Sequence, residues 1–175
     1  MENFSTLIQN RRSMRKFTSQ KLDEEQKRLI LRAALISPSS KNTRPWEFIA
    51  VEDTVMLQKL SVARESGAGF IAECAWAVVV VADTSKTGCW VEDCSIAATF
   101  MQLQAQDLGL GSCWTQMRGR SLADGTPSRQ VLTGLLGIPE NFEPLCIIGF
   151  GYKNQERKPY DDDKIEWTKV HNEKF

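Results

Sequence analysis

Residues 89–114, CWVEDCSIAATFMQLQAQDLGLGSCW, set the architecture of this chain. Cys94, Ala98, Met101, Ala105 and Leu108 recur at three- and four-residue steps, and Ile96, Phe100 and Leu103 form a second stripe beside them. That spacing predicts one long helix over residues 89–108, opened by the acids Glu92 and Asp93 at its positive end and stopped by Gly109. Its apolar arc is wider than a single sheet face needs, so the helix is expected to be central, with a second copy of the chain covering what the sheet leaves bare. Residues 110–116 follow as a short strand.

Working outward, residues 75–82 are the most apolar run, far short of the ~20 residues that cross a bilayer, and read as a buried strand. Residues 46–51 and 145–150 supply two more strands, and residues 4–10, 22–36, 55–64 and 128–136 supply helices. Alternating strands and helices predict an α+β domain with a central mixed sheet of about four strands covered by helices. The length of 175 residues fits one domain spanning 1–175. Residues 152–175 are charged and aperiodic, an extended tail that anchors through Pro159, Trp167, Val170 and Phe175 by wrapping over another surface.

Charge excludes some partners. Lys plus Arg and Asp plus Glu each number 22, so no global field favours nucleic acid or an anionic membrane, and any anion site is local. Residues 1–5 carry no basic start followed by an apolar run, so the expected location is the cytoplasm. Five scattered cysteines sit mostly in apolar stretches and read as reduced core residues. The only histidine, His171, stands near the end, which leaves little material for a nucleophile relay or a metal cluster. The acidic run Asp161–Asp163 reads as solvated tail, and no metal site is expected. Three Gly-x-Gly pairs occur, at Gly67, Gly109 and Gly149, but each lacks the third glycine of a dinucleotide fingerprint.

Four segments remain. Arg11, Arg12, Ser13, Arg15 and Lys16 gather cations around a hydroxyl, a set that matches phosphate oxygens and equally describes a solvated face. The loop from Ser37 to Trp46 carries hydroxyls, an amide and backbone donors suited to the edge of a flat heterocycle, or forms an ordinary connection. Gly109 and Gly111 precede Cys113 and Trp114, allowing close backbone approach or simply strand packing. Arg157 and Lys158 put two more cations into the tail.

In this order, Arg-Arg-Ser-x-Arg at 11–15, Ser-Pro-Ser-Ser-x-Asn at 37–42 with Pro-Trp at 45–46, Leu-Gly-Leu-Gly-Ser-Cys-Trp at 108–114 and Gly-x-Gly-Tyr at 149–152 followed by a basic tail resemble the nitroreductase family of flavin mononucleotide (FMN) enzymes. The resemblance implies an intertwined homodimer with two FMN sites at its interface. It implies that Arg11, Arg12 and Ser13 bind the FMN phosphate, with Arg157 and Lys158 closing over it, and that Arg15 serves the ribityl chain and the N1/O2 edge as a charge stabiliser. Pro38, Ser39, Ser40 and Asn42 would meet the flavin from the partner subunit, and Trp114, Thr115 and Gln116 would line the ring near N5. Arg44 departs from the family pattern, where many relatives carry Gln. The implied activity is hydride transfer from NADH or NADPH through FMN to a small electron-poor acceptor, a nitroaromatic or a quinone, in a ping-pong cycle. A flavin carrier or sensor with little turnover, a reductive dehalogenase on the same fold, and a phosphate-ligand domain without flavin are the competing readings.

Overall fold

The computed structural model describes residues 3–175; the leader expectation therefore falls partly on residues outside the described ones. The elements run α1 (Phe4–Asn10), α2 (Glu24–Leu35), β1 (Trp46–Val51), α3 (Thr54–Ser61), β2 (Trp76–Asp83), α4 (Trp90–Asp107), β3 (Gly111–Gln116), α5 (Ser128–Leu136) and β4 (Phe142–Gly151). Local chemistry marks their ends. Asp23 and Gln26 form a reciprocal capping box at the start of α2, and Gly109, in the left-handed region at φ 76°, follows the end of α4, where the Leu110 N–H closes on the Ala105 carbonyl at 2.8 Å. Among the described residues no helix is long and apolar enough to cross a membrane.

The four strands lie in the order β1-β2-β4-β3, and every pairing between them is antiparallel. The expected mixed sheet is corrected in that respect. The crossover through α4 does leave β2 and β3 pointing the same way, but β4 inserts between them and pairs antiparallel with both. β4 also begins three residues before its expected start. A register shift between Val80 and Val81 leaves Leu145 without a register partner, beside Pro144, the residue that cannot donate to the ladder.

Both faces of β2 are buried. Trp76, Val78, Val80 and Ala82 pack with Ile30 of α2 and Ala97, Ala98 and Met101 of α4, while Ala77, Val79 and Val81 face Leu57, Leu60, Ile71 and Leu132 on the other side. The first α4 stripe is buried as expected from Cys94 to Ala105, with Leu108 at its end partly buried. The second is not: Ile96 and Phe100 remain 37% and 36% exposed.

The segment after α1 runs along β3 and β4. The Met14 N–H donates to the Ser112 carbonyl at 2.9 Å, Ser13 bridges Ser112 in parallel, and Phe17 bridges Lys153. Met14, within the run of cations, and Phe17, just after it, are buried and act as pins. Two glycines make room for them: a Cβ at Gly111 would stand 2.9 Å from the Met14 Cβ, and one at Gly151 would stand 2.8 Å from a Phe17 ring carbon.

Gly151→Ala is therefore expected to destabilise the fold by about 1–3 kcal/mol, the usual cost of overpacking; an unchanged urea midpoint would contradict the pinning of Phe17. Burial also pushes the Cys74 and Cys94 thiols from the ordinary 9.0 to about 12. The folded chain thus keeps protons that the unfolded chain releases above pH 9, so stability should fall as pH rises from 9 toward 12. Denaturant midpoints that hold constant over that window would count against it.

Candidate functional site

Pinned by Met14 and Phe17, the segment from Arg11 to Lys16 turns its cations outward. Arg11, Arg12, Ser13 and Arg15 line a cleft of about 360 Å³ together with Ile8, Tyr160 and Arg157 of the tail. Residues more than 140 positions apart thus meet in one place. Four guanidinium groups line this cleft and no carboxylate does, and none of the ion pairs among the described residues uses Arg11, Arg12, Arg15 or Arg157. Like charges held together without counter-charge repel, so the arrangement suits a multiply charged anion.

The tail is held to this region by hydrogen bonds rather than by packing. Tyr160 N–H donates to the Gln9 carbonyl at 2.9 Å, and the Gln9 amide donates to Asp162 Oδ1 at 3.0 Å. The Arg12 guanidinium donates to the Lys158 carbonyl. Arg12 thereby orients the tail while its neighbours face the cleft. Lys158 lines instead an adjoining open groove of about 1010 Å³, with Met14, Gln106 and Lys153 among its walls; Arg157 lines both spaces. Tyr160, Ile165, Trp167, Val170 and Phe175 stay exposed along the tail.

The loop predicted to meet a heterocycle stands elsewhere. Pro38, Ser39, Ser40 and Asn42 precede β1, at the opposite edge of the sheet from β3 and three strand spacings away, about 14 Å. Residues Ser40–Asn42 form a 3-10 turn, and Lys41, Asn42 and Arg44 all have positive φ, between 47° and 56°. Arg44, the residue that departs from the family pattern, donates through its backbone N–H to Ser39 Oγ at 3.0 Å and through Nε to Asn42 Oδ1 at 2.9 Å. The turn is tied to α4 by Asp93, whose Oδ1 accepts the Ser40 N–H at 2.8 Å.

On β3 the three predicted ring-lining residues divide between two faces, as strand alternation requires. Trp114 packs toward α4 and donates from Nε1 to Gln116 Oε1 at 3.1 Å. Thr115 points the other way, is only 2% exposed and donates to the Gly67 carbonyl at 3.3 Å. Its hydroxyl is committed to the core, and what Thr115 presents on the Trp114 side of the strand is backbone. Arg64 donates to the Gln116 carbonyl at 3.0 Å, and the Arg118 guanidinium lies 5.5 Å from the Trp90 ring, linking the end of β3 to the start of α4.

Sequence reasoning missed Tyr160, because the tail has no periodicity to read, and it missed Asp93, which it took as a dipole-stabilising acid. A signal for Asp93 existed: it stands four residues before Ala97 and eight before Met101, on the buried stripe of the helix.

Comparison with known proteins agrees with the fold and with the family resemblance. The nitroreductase family profile matches residues 8–66 and 53–152. A protein of Archaeoglobus fulgidus named "Putative NADH dehydrogenase/NAD(P)H nitroreductase" is 35% identical across the whole of both chains, and one of the same name from Methanothermobacter thermautotrophicus is 36% identical over 93% of this chain and 85% of its own length. Among solved structures, an FMN-dependent nitroreductase from Clostridium difficile R20291 superposes with a TM-score of 0.96 at 40% identity, covering 98% of this chain and all of that one. On its motifs, its fold and these relatives, the chain belongs to the nitroreductase family.

Proposed function

We propose that this protein is an FMN-dependent oxidoreductase that takes a hydride from NADH or NADPH and passes it through bound flavin to an electron-poor small molecule, a nitroaromatic or a quinone, and that it works as a homodimer. The observation that carries this reading is the cleft where Arg11, Arg12, Arg15 and Arg157 converge without a carboxylate. The family relatives named for NAD(P)H and FMN support the same chemistry.

Arg11 and Ser13 would hold the phosphate by charge-assisted hydrogen bonds, and Arg157, from the tail, would close over it. Arg15 is exposed beside them and free to reach the pyrimidine edge of the ring, where its charge would stabilise the reduced state. Bound flavin supplies the two-electron chemistry itself. The protein's own tasks are to bind, to orient and to leave one ring face open, so that donor and acceptor use it in turn. His171 takes no part in this arrangement, since it stacks on Phe175 in the exposed tail with ring centroids 4.2 Å apart.

The division of the candidate site supports the proposed dimer. α4 has 18 residues, so its ends lie about 27 Å apart. The Ser40 turn is tied to its first turn by Asp93, while Gln106 of its last turn shares a groove lining with Met14, which stands between Arg12 and Arg15, and with Arg157. Two copies paired antiparallel through the exposed Ile96 and Phe100 would bring the turn of one against the cation cleft of the other. One chain then holds the phosphate and its partner meets the ring.

Purified protein is expected to show a flavin spectrum, or to gain one from added FMN, and to bleach anaerobically with NADH or NADPH. A colourless protein that refuses FMN would overturn the reading, and a yellow one that neither nucleotide bleaches would favour a carrier. Arg11→Ala should weaken FMN binding by about 1–3 kcal/mol in a fluorescence titration, the value of a charge-assisted contact.

A further inference from the structure

Asp93 is 2% exposed, in the first turn of α4. Its Oδ1 accepts the Ser40 N–H at 2.8 Å, across 53 positions of sequence, whereas its Oδ2 is buried and meets no donor among the described residues. A carboxylate buried with part of its acceptor capacity unused is a poor stabiliser, because an apolar side chain of similar size would sit there at lower cost. Its presence asks for a reason other than the stability of the protomer.

The turn that it holds supplies one. Lys41, Asn42 and Arg44 have φ of 49°, 56° and 47°, a region that residues other than glycine and asparagine seldom adopt. The remaining hydrogen bonds of the turn are internal: Asn42 N–H to the Ser39 carbonyl, Thr43 N–H to the Ser40 carbonyl, Arg44 N–H to Ser39 Oγ. Among the described residues, Ser40 to Asp93 is the hydrogen bond that ties residues 38–44 to another element. Without it the turn could keep its internal bonds and still swing away from α4.

We propose that Asp93 is a positioning residue, holding the Ser39–Arg44 turn in the place from which it meets bound flavin. This rests on the flavin reading above. The carboxylate touches no reacting atom; it acts through the Ser40 backbone, which in turn presents Ser39, Ser40 and Asn42. The sidedness of the site thus depends on a contact buried inside each protomer.

The test compares the wild-type protein with Asp93→Ala and Asp93→Asn in FMN titrations and in amide hydrogen exchange over residues 39–44. Asp93→Ala is expected to bind FMN roughly tenfold more weakly, the worth of one lost hydrogen bond to a charged group, and to exchange the Ser40 amide faster. Its thermal midpoint should change little, because an unpartnered buried oxygen leaves with the hydrogen bond. Asp93→Asn keeps an acceptor at Oδ1 and should restore both affinity and protection. Wild-type affinity and protection in Asp93→Ala would overturn the proposal, and so would an Asp93→Asn variant no better than Asp93→Ala. A wild-type protein that takes up no FMN would instead overturn the flavin reading, while the exchange of Ser40 would still report on the latch.

Discussion

α4 must bury one face against the sheet, and the places where its two ends then fall organise the rest of the molecule. Met101, Ala98 and Cys94 are fully buried against β2 and β4, so the helix lies across the α2 side of the sheet and cannot rotate without opening the core. Its first turn meets the Ser40 turn through Asp93 and comes near the end of β3 through Trp90 and Arg118. Its last turns meet the groove wall through Gln106. A rigid stretch of about 20 Å, the helical rise from Asp93 to Gln106, therefore separates two sets of groups that a single flavin would need together in the proposed site. The helix keeps them apart in one protomer, and its bare Ile96 and Phe100 offer the surface on which, in the proposed dimer, a second protomer would reunite them.

The cation cleft is built by a different principle. Met14 and Phe17 are pins, and Gly111 and Gly151 are the spaces they occupy, so the backbone between Arg11 and Arg15 is held against β3 with little freedom. A backbone fixed in this way needs no further ordering when an anion binds, and the absence of carboxylates from the lining means that no ion pair must first be broken. The exposed tail adds Arg157 through hydrogen bonds from Gln9 and Arg12. An electrically neutral chain can thus present a concentrated local charge.

Much of this was legible in the sequence, unevenly. Four strands and five helices were visible because periodicity survives burial: residues 75–82 are apolar on both faces, and the α4 stripe repeats over the whole helix. Strand direction was not legible, since the last strand in sequence inserts between two that precede it, and Pro144 hid the true start of β4 behind a register shift. The cations at Arg11, Arg12 and Arg15 were easy to see, whereas what pins them, Met14, reads as an unremarkable methionine inside a charged run. Thr115 was grouped with its neighbours by adjacency, although the two-residue period of a strand sends its side chain to the opposite face. Asp93 was read by its position at a helix start, when its spacing from Ala97 and Met101 already put it on the buried side.

The central claim is that one flavin site draws its phosphate cations from one chain and its Ser40 turn from another. Mixing two inactive variants tests it directly: Arg11→Ala with Arg15→Ala in one copy, and Ser40→Ala with Asn42→Ala in the other, refolded together and titrated with FMN. If the site is shared, each variant alone binds weakly, and every mixed dimer regains one site of wild-type affinity, made from the intact cations of one copy and the intact turn of the other. If mixing restores no tight binding while mixed dimers demonstrably form, both sets of groups serve within a single chain and the account is contradicted.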